Sequence, residues 1–212
     1  MRLDHVSYAA EKDGLLATTE RLADALGIKP LDGGYHPRFG TRNMVLPLEG
    51  LYYLEVVEVL DHPVAAKAVF GQAVRDRSAV GGGWLGWVVS TDNLAPFESR
   101  LGRAAVEGNR YRPDGVELRW RQIGLKGLVA DPQLPYIVTW DVADGLRPGA
   151  DKDSHVRIEG IQIAGDPDRV REWLGTDIGE PLRDVHVEWV APHGQPGVMS
   201  VTFETDRGLV TI

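Results

Sequence analysis

The sequence predicts an α+β fold assembled from a repeated βαβββ unit, and three observations carry that prediction. An alternating run, an amphipathic helical run and a hairpin follow one another over residues 3–60, and the same succession returns over residues 84–142. Tyr35-His36-Pro37 ahead of Gly40 is echoed by Tyr111-Arg112-Pro113 ahead of Gly115. An internal duplication accounts for this spacing more economically than coincidence does.

Taken in order, Leu3–Ala10 alternates as a strand. A helix starting at Lys12 or Asp13 then places Leu15, Leu16, Thr19, Leu22, Ala23 and Leu26 on one face. Gly27, which tolerates a left-handed conformation, ends it. Asp32-Gly33-Gly34 turns, Tyr35-His36-Pro37 forms a short edge piece, and strands Thr41–Leu48 and Leu51–Leu60 are joined at Glu49-Gly50. Residues 1–61 thus make a first module.

Residues 62–83 read as a connector, an alanine-bearing short helix closed by the hinge Gly81-Gly82-Gly83. The second module, residues 84–143, opens with strand Trp84–Thr91 and an N-cap at Asp92. A helix carrying Leu94, Phe97, Leu101, Ala104 and Ala105 ends at Gly108. Arg110–Pro113, a turn at Asp114-Gly115, strand Val116–Ile123, a loop through Pro132 and Pro135, and strand Tyr136–Val142 complete it. Beyond the polar stretch Asp144–Ser154, residues 155–212 give a divergent third βαββ(β) unit, its helix Asp166–Leu174 opened by Asp-Pro and closed by Gly175.

Composition narrows the function classes. The 212 residues with 43% hydrophobic content support an ordinary globular core. A formal charge of −8, with no long run of either sign, argues against a nucleic-acid or anionic-membrane partner. The absence of cysteine removes disulfides, thiolate metal sites and cysteine nucleophiles. With no signal-peptide pattern and no apolar run of membrane-spanning length, the expectation is a cytoplasmic protein. Gly81-Gly82-Gly83 lacks the context of a phosphate loop, and no Gly-x-Ser-x-Gly elbow offers a serine nucleophile.

Glu55 is the residue that first demands an explanation. It stands among Leu, Tyr and Val in a strand, where a buried carboxylate costs free energy unless something compensates. Strand alternation puts it on one side with Leu51, Tyr53 and Val57, and puts His5 with Leu3 and Ser7. If those strands are neighbours, His5 and Glu55 meet, either as a buried hydrogen-bonded pair or as two ligands of one cation.

The order LDHVSYAA, helix, GGYHPRFGTRN, YYLEVVEV, then WVVSTDNL, YRPDGVELRWR and LPYIVTWD resembles the glyoxalase-like subgroup of the vicinal oxygen chelate superfamily, closely over residues 3–142 and loosely beyond. The resemblance implies paired modules whose mostly antiparallel sheet cups around a cavity, with helices outside. It also implies a divalent metal, of which Zn, Ni, Mn and Fe suit the ligand types, held by His5 and Glu55 and acting on a small oxygen-bearing molecule as in lyases, isomerases or dioxygenases.

The second module offers no ligand at the matching positions: Trp84, Leu85 or Gly86 on its first strand, Thr139 or Trp140 on its last, with Asp141 one step away. A third ligand would come from His36, from Glu204 or from a partner chain in a symmetric homodimer. His36 is also the candidate proton-transfer group. The alternative is a metal-free sequestering protein of the bleomycin-resistance type, whose tryptophan-rich second module grips a flat or apolar compound. Asn43, Trp120, Gln122 and Trp140 are the expected small-molecule contacts. Arg119 and Arg121 fall on the opposite face, and His62, His155, His186 and His193 fall at the surface.

Overall fold

The computed structural model describes residues 1–150, 153–191 and 193–212. Twelve strands and five helices are formed among them. The first module is β1 (Arg2–Ala9), α1 (Leu15–Leu26), β2 (Leu31–His36), β3 (Thr41–Pro47) and β4 (Tyr53–Val59). The connector carries α2 (Val69–Ala79), and the second module comprises β5 (Gly83–Ser90), α3 (Ala95–Leu101), β6 (Val106–Tyr111), β7 (Glu117–Ile123), α4 (Leu125–Ala130) and β8 (Tyr136–Trp140). The third unit is β9 (Arg157–Ala164), α5 (Pro167–Leu174), β10 (His186–Val190), β11 (Gly197–Thr205) and β12 (Gly208–Thr211).

The two modules close on each other. Their eight strands form one barrel in the order β1-β4-β3-β2-β6-β7-β8-β5, and the third unit adds a separate sheet, β10-β9-β11-β12. Only β1–β4 and β5–β8 run parallel within the barrel. One seam is the long antiparallel ladder of β1 with β5; the other is the single pair Tyr35 with Tyr111. Gly34 makes that second approach feasible, because at φ 95° a side chain there would collide with the Tyr111 carbonyl.

Helix α1 covers the outside with Leu15, Thr18, Thr19, Leu22, Ala23 and Leu26 buried, and Gly27 caps it at φ 71°. Leu16, expected on that face, is 60% exposed, and Thr18 takes its place, accepting the Glu11 N–H through its hydroxyl. The N-cap of α3 falls at Leu94 rather than Asp92, and Asn93 just before it accepts the Ala95 N–H through its side chain. Helix α4 occupies a stretch read as loop. The Asp166 cap of α5 and its Gly175 stop are as expected.

The main core lies between the barrel wall, α1 and the third unit, and includes Leu3, Val6, Leu54, Trp87, Ile163 and Phe203, all fully buried. Each such aliphatic side chain contributes roughly 1.5–3 kcal/mol when removed from water. Trp84 and Trp87 belong to this outer region. Their indole N–H groups donate to Ile212 O and Gln133 O, so neither faces the barrel interior. The opening strand departs from strict alternation, because a register shift against β5 between Leu3 and His5 leaves Asp4 as an extra residue. Leu3 therefore packs outside with Val6 instead of sharing a side with His5.

Candidate functional site

The barrel encloses a cavity of ≈ 30 Å³ whose wall takes residues from both modules, His5, His36, Asn43 and Glu55 from the first, Trp120 and Tyr136 among others from the second. It is flanked by two larger clefts. One of ≈ 370 Å³ shares Phe39, Phe70 and Gln122 with it; the other, of ≈ 480 Å³, shares Arg110 and Pro148. The cavity has room for a small reacting group, with the rest of any larger ligand lying in a cleft.

His5 and Glu55 do converge. The parallel pairing of β1 with β4 sets His5 beside Tyr53 and Ser7 beside Glu55, with His5 Nε2 3.9 Å from Glu55 Oε2. Both residues are 4% exposed. Glu55 is compensated by neutral donors: Ser7 Oγ donates to Oε2 and Asn43 Nδ2 to Oε1, each at 2.8 Å. A buried carboxylate needs such partners.

His5 is oriented from behind by a residue that sequence reasoning missed. The bulge in β1 turns Asp4 inward, where its carboxylate accepts from His5 Nδ1 at 2.7 Å and from Trp140 Nε1 at 2.9 Å. Burial alone would raise the Asp4 pKa, but the hydrogen bond and charge of His5, joined by Trp140 and Arg2, outweigh it and hold it below the usual carboxylate value. An ionised Asp4 offers only acceptors, so the proton between them sits on His5 Nδ1; in the neutral ring Nε2 is then the acceptor on the cavity side. Tyr53 stacks on the imidazole at 4.3 Å and 18°, and the Tyr136 hydroxyl lies 3.3 Å from Nε2, to which it donates when the ring is neutral. Burial, followed by the negative charges of Asp4 and Glu55, pushes both phenols well above their ordinary pKa, so they remain donors.

The other expected contacts also line the cavity. His36 is 4% exposed, holds Thr41 Oγ1 through Nδ1 at 2.9 Å, and meets the Trp120 ring edge-on at 5.8 Å. Burial lowers its pKa to about 4, with Glu55 opposing and Arg110 and His5 reinforcing, so it is a neutral imidazole at pH 7. Trp120 and Trp140 lie 5.5 Å apart, and Trp120 Nε1 donates to Gln122 Oε1. Arg119 and Arg121 lie outside as expected, beside Glu117 and Asp141, and His62, His155, His186 and His193 are exposed.

Sequence reasoning also missed Arg110, 4% exposed on β6, whose Nη1 donates to Asn43 Oδ1 at 3.0 Å. Tyr53 and Tyr136 were placed in strands without a role. Phe39 and Phe70 came from a loop and the connector helix, where no pattern pointed inward.

A catalytic divalent ion ordinarily takes three protein ligands. His5 Nε2 and Glu55 Oε2 supply two donors, and among the described residues no group of three or more His, Cys, Asp or Glu side chains is placed to hold a metal. Glu204 cannot complete the set, because it lies on β11 of the separate sheet and ion-pairs with Arg157. The donor set therefore stops one short of a catalytic site.

Comparison with known proteins follows the same lines. A family model described as a glyoxalase-like domain matches residues 3–178. A hypothetical protein from Staphylococcus aureus superimposes with a TM-score of 0.69 at 15% identity, over 98% of this chain and 92% of that one. A methylmalonyl-CoA epimerase from Streptomyces coelicolor is 18% identical with a TM-score of 0.44, over 67% of this chain and 99% of its own. A 4-hydroxymandelate synthase from the same organism is 14% identical with a TM-score of 0.44, over 99% of this chain and 61% of its own. None of the curated proteins compared matches the sequence.

Proposed function

Since the chain belongs to the glyoxalase-like domain family of the vicinal oxygen chelate superfamily, we propose that it is an enzyme moving a proton on a small oxygen-bearing molecule, with His5 as the base. The observation that supports this reading is the Asp4–His5 contact: with the proton on Nδ1 held by Asp4, Nε2 of the neutral ring is the acceptor at the cavity wall. In this reading His5 Nε2 removes a proton from a carbon beside a carbonyl, and Asp4 stabilises the imidazolium that forms. Glu55, 3.9 Å away, adds a second negative charge on the same side. The Tyr136 hydroxyl, kept protonated by burial, swings from Nε2 to the developing oxyanion. His36 serves as a neutral wall residue that can donate to or accept from the substrate. Asn43, Trp120, Gln122 and Trp140 surround the substrate.

A second reading is a divalent ion, Zn, Ni, Mn or Fe, held by His5 and Glu55. The same Asp4 contact supports it, because a carboxylate on the far nitrogen is the usual support of a metal-bound histidine. Such an ion would supply Lewis-acid polarisation of substrate oxygens. With two donors from this chain, its remaining ligands would be water or substrate.

Deuterium exchange at the α-carbon of small aldehydes, ketones and 2-hydroxy carbonyl compounds, followed by NMR, tests the proposal. Exchange should appear with the wild-type protein, survive chelator, and fall on the order of 100-fold or more in His5→Gln. Near-stoichiometric metal that vanishes in His5→Ala, with exchange abolished by chelator, selects the second reading. Binding without exchange, weakened by Trp120→Ala, would instead mark a sequestering protein and end the enzymatic case.

A further inference from the structure

Arg110 is the cation of the cavity wall, and it differs from the arginines around it. Arg42, Arg112, Arg119 and Arg147 each pair with a carboxylate near the surface. No carboxylate of the described residues stands within ion-pair distance of Arg110, although it is 4% exposed. Its Nη1 donates to the neutral Asn43 amide, and its Nε is buried with no hydrogen-bond partner. The Asn43 amide stands between it and the Glu55 carboxylate, and Glu55 and Asp32 act on it only from beyond contact distance; a buried charge with no partner in direct contact is costly, and folds seldom carry one without a use.

The surroundings keep that guanidinium in place and reachable. On the neighbouring strand β2, Gly33 leaves the space in which Arg110 Nη1 meets Asn43 Oδ1; a β-carbon there would strike both groups. Arg110 borders both the inner cavity and the ≈ 480 Å³ cleft, whose wall also holds Arg112 and Arg147. Asp32 and Asp114 stand in the same cleft wall, and Arg110 is the cation it shares with the inner cavity. Trp120, Trp140 and Phe39 offer flat apolar surface on the cavity side.

We propose that this site selects small organic carboxylates, the ligand's carboxylate pairing with the Arg110 guanidinium where cavity and cleft meet, with a small part of its body reaching the tryptophan wall and the rest lying in the ≈ 480 Å³ cleft. Guanidinium and carboxylate match as planar forks, and the pairing gives the buried cation a counter-charge in direct contact, which Glu55 and Asp32 supply only at longer range. A neutral amide of the same shape can accept a hydrogen bond but brings no counter-charge. The inference rests on the cavity being the ligand site proposed above, but not on proton transfer at His5.

Quenching of tryptophan fluorescence by benzoate and propionate, each against its amide, reads the preference directly. The wild type should bind each carboxylate at least tenfold more tightly than its amide. Arg110→Met should abolish that ratio, and Gly33→Ala, which crowds the guanidinium, should reduce it. Absence of exchange in the wild type, with the preference retained, counts against the base and not against this inference. Without carboxylate, Arg110→Met should unfold at a urea concentration equal to or above that of the wild type, as expected when an unpaired charge gives way to an apolar side chain. Equal affinity for acid and amide in the wild type, no binding of either carboxylate, or a preference that persists in Arg110→Met overturns the proposal. If Arg110→Met does not fold, Arg110 is structural and the proposal falls, unless Gly33→Ala lowers the ratio in a folded protein.

Discussion

Acidifying the protein should weaken it through one residue, His36, and the size of the effect follows from its burial. The unfolded histidine titrates near 6.5, the folded one near 4 because burial disfavours the imidazolium. Between those values the unfolded chain binds a proton that the native chain refuses, so stability falls as pH falls through the window. The full difference corresponds to about 3 kcal/mol, complete below pH 4, and about 2 kcal/mol is already lost at pH 5. Asp4, whose carboxyl is held low, titrates below this range and does not obscure it. Urea unfolding at pH 8 and pH 5, in the wild type and in His36→Asn, measures the effect. Asn places an amide where Nδ1 meets Thr41 Oγ1 but cannot take the proton. The variant should lack about 2 kcal/mol of the wild-type loss; an equal loss in both proteins would show that His36 is not the buried neutral imidazole described above.

Two further outcomes follow from the geometry. Asp4→Asn places an NH₂ group where either His5 Nδ1–H or Trp140 Nε1–H expects an acceptor, so the His5 proton should move from Nδ1 to Nε2, a change that nitrogen NMR shifts report. A wild type already protonated on Nε2 would contradict the assignment of the base. Gly34→Ala should destabilise by more than 1 kcal/mol in urea unfolding, because the added methyl meets the Tyr111 carbonyl and φ is positive, and a near-neutral result would show that the seam between β2 and β6 is slack.

Much of this site could be read from alternation alone. His5 and Glu55 meet because two strands, each with a polar residue at an inward position, pair side by side. Trp120 and Gln122 follow by carrying the pattern of Asn43 onto the second module. The failures have physical causes. Asp4 reads as outward on a regular strand, and only the bulge brings it round. Arg110 sits in a segment that looks like a polar edge piece, and its burial depends on a glycine in another strand that vacates the space. Phe39 and Phe70 reach the cavity from a turn and a connector, where no period exists to follow. Helix α4, six residues with Gly127 inside it, is too short for a helical period to declare itself. Leu16 fits the α1 stripe by spacing, but Thr18 has a backbone N–H to hold and takes the inner place.

The extra residue in the opening strand has one more effect. The long ladder of β1 with β5 fastens one half of the barrel to the other, and it is interrupted at the spot that turns Asp4 onto His5. Removing a residue there would take out one of the two register shifts in that ladder while turning the orienting carboxylate away from the imidazole. Regularity of the joint and orientation of His5 are thus opposed at a single backbone position.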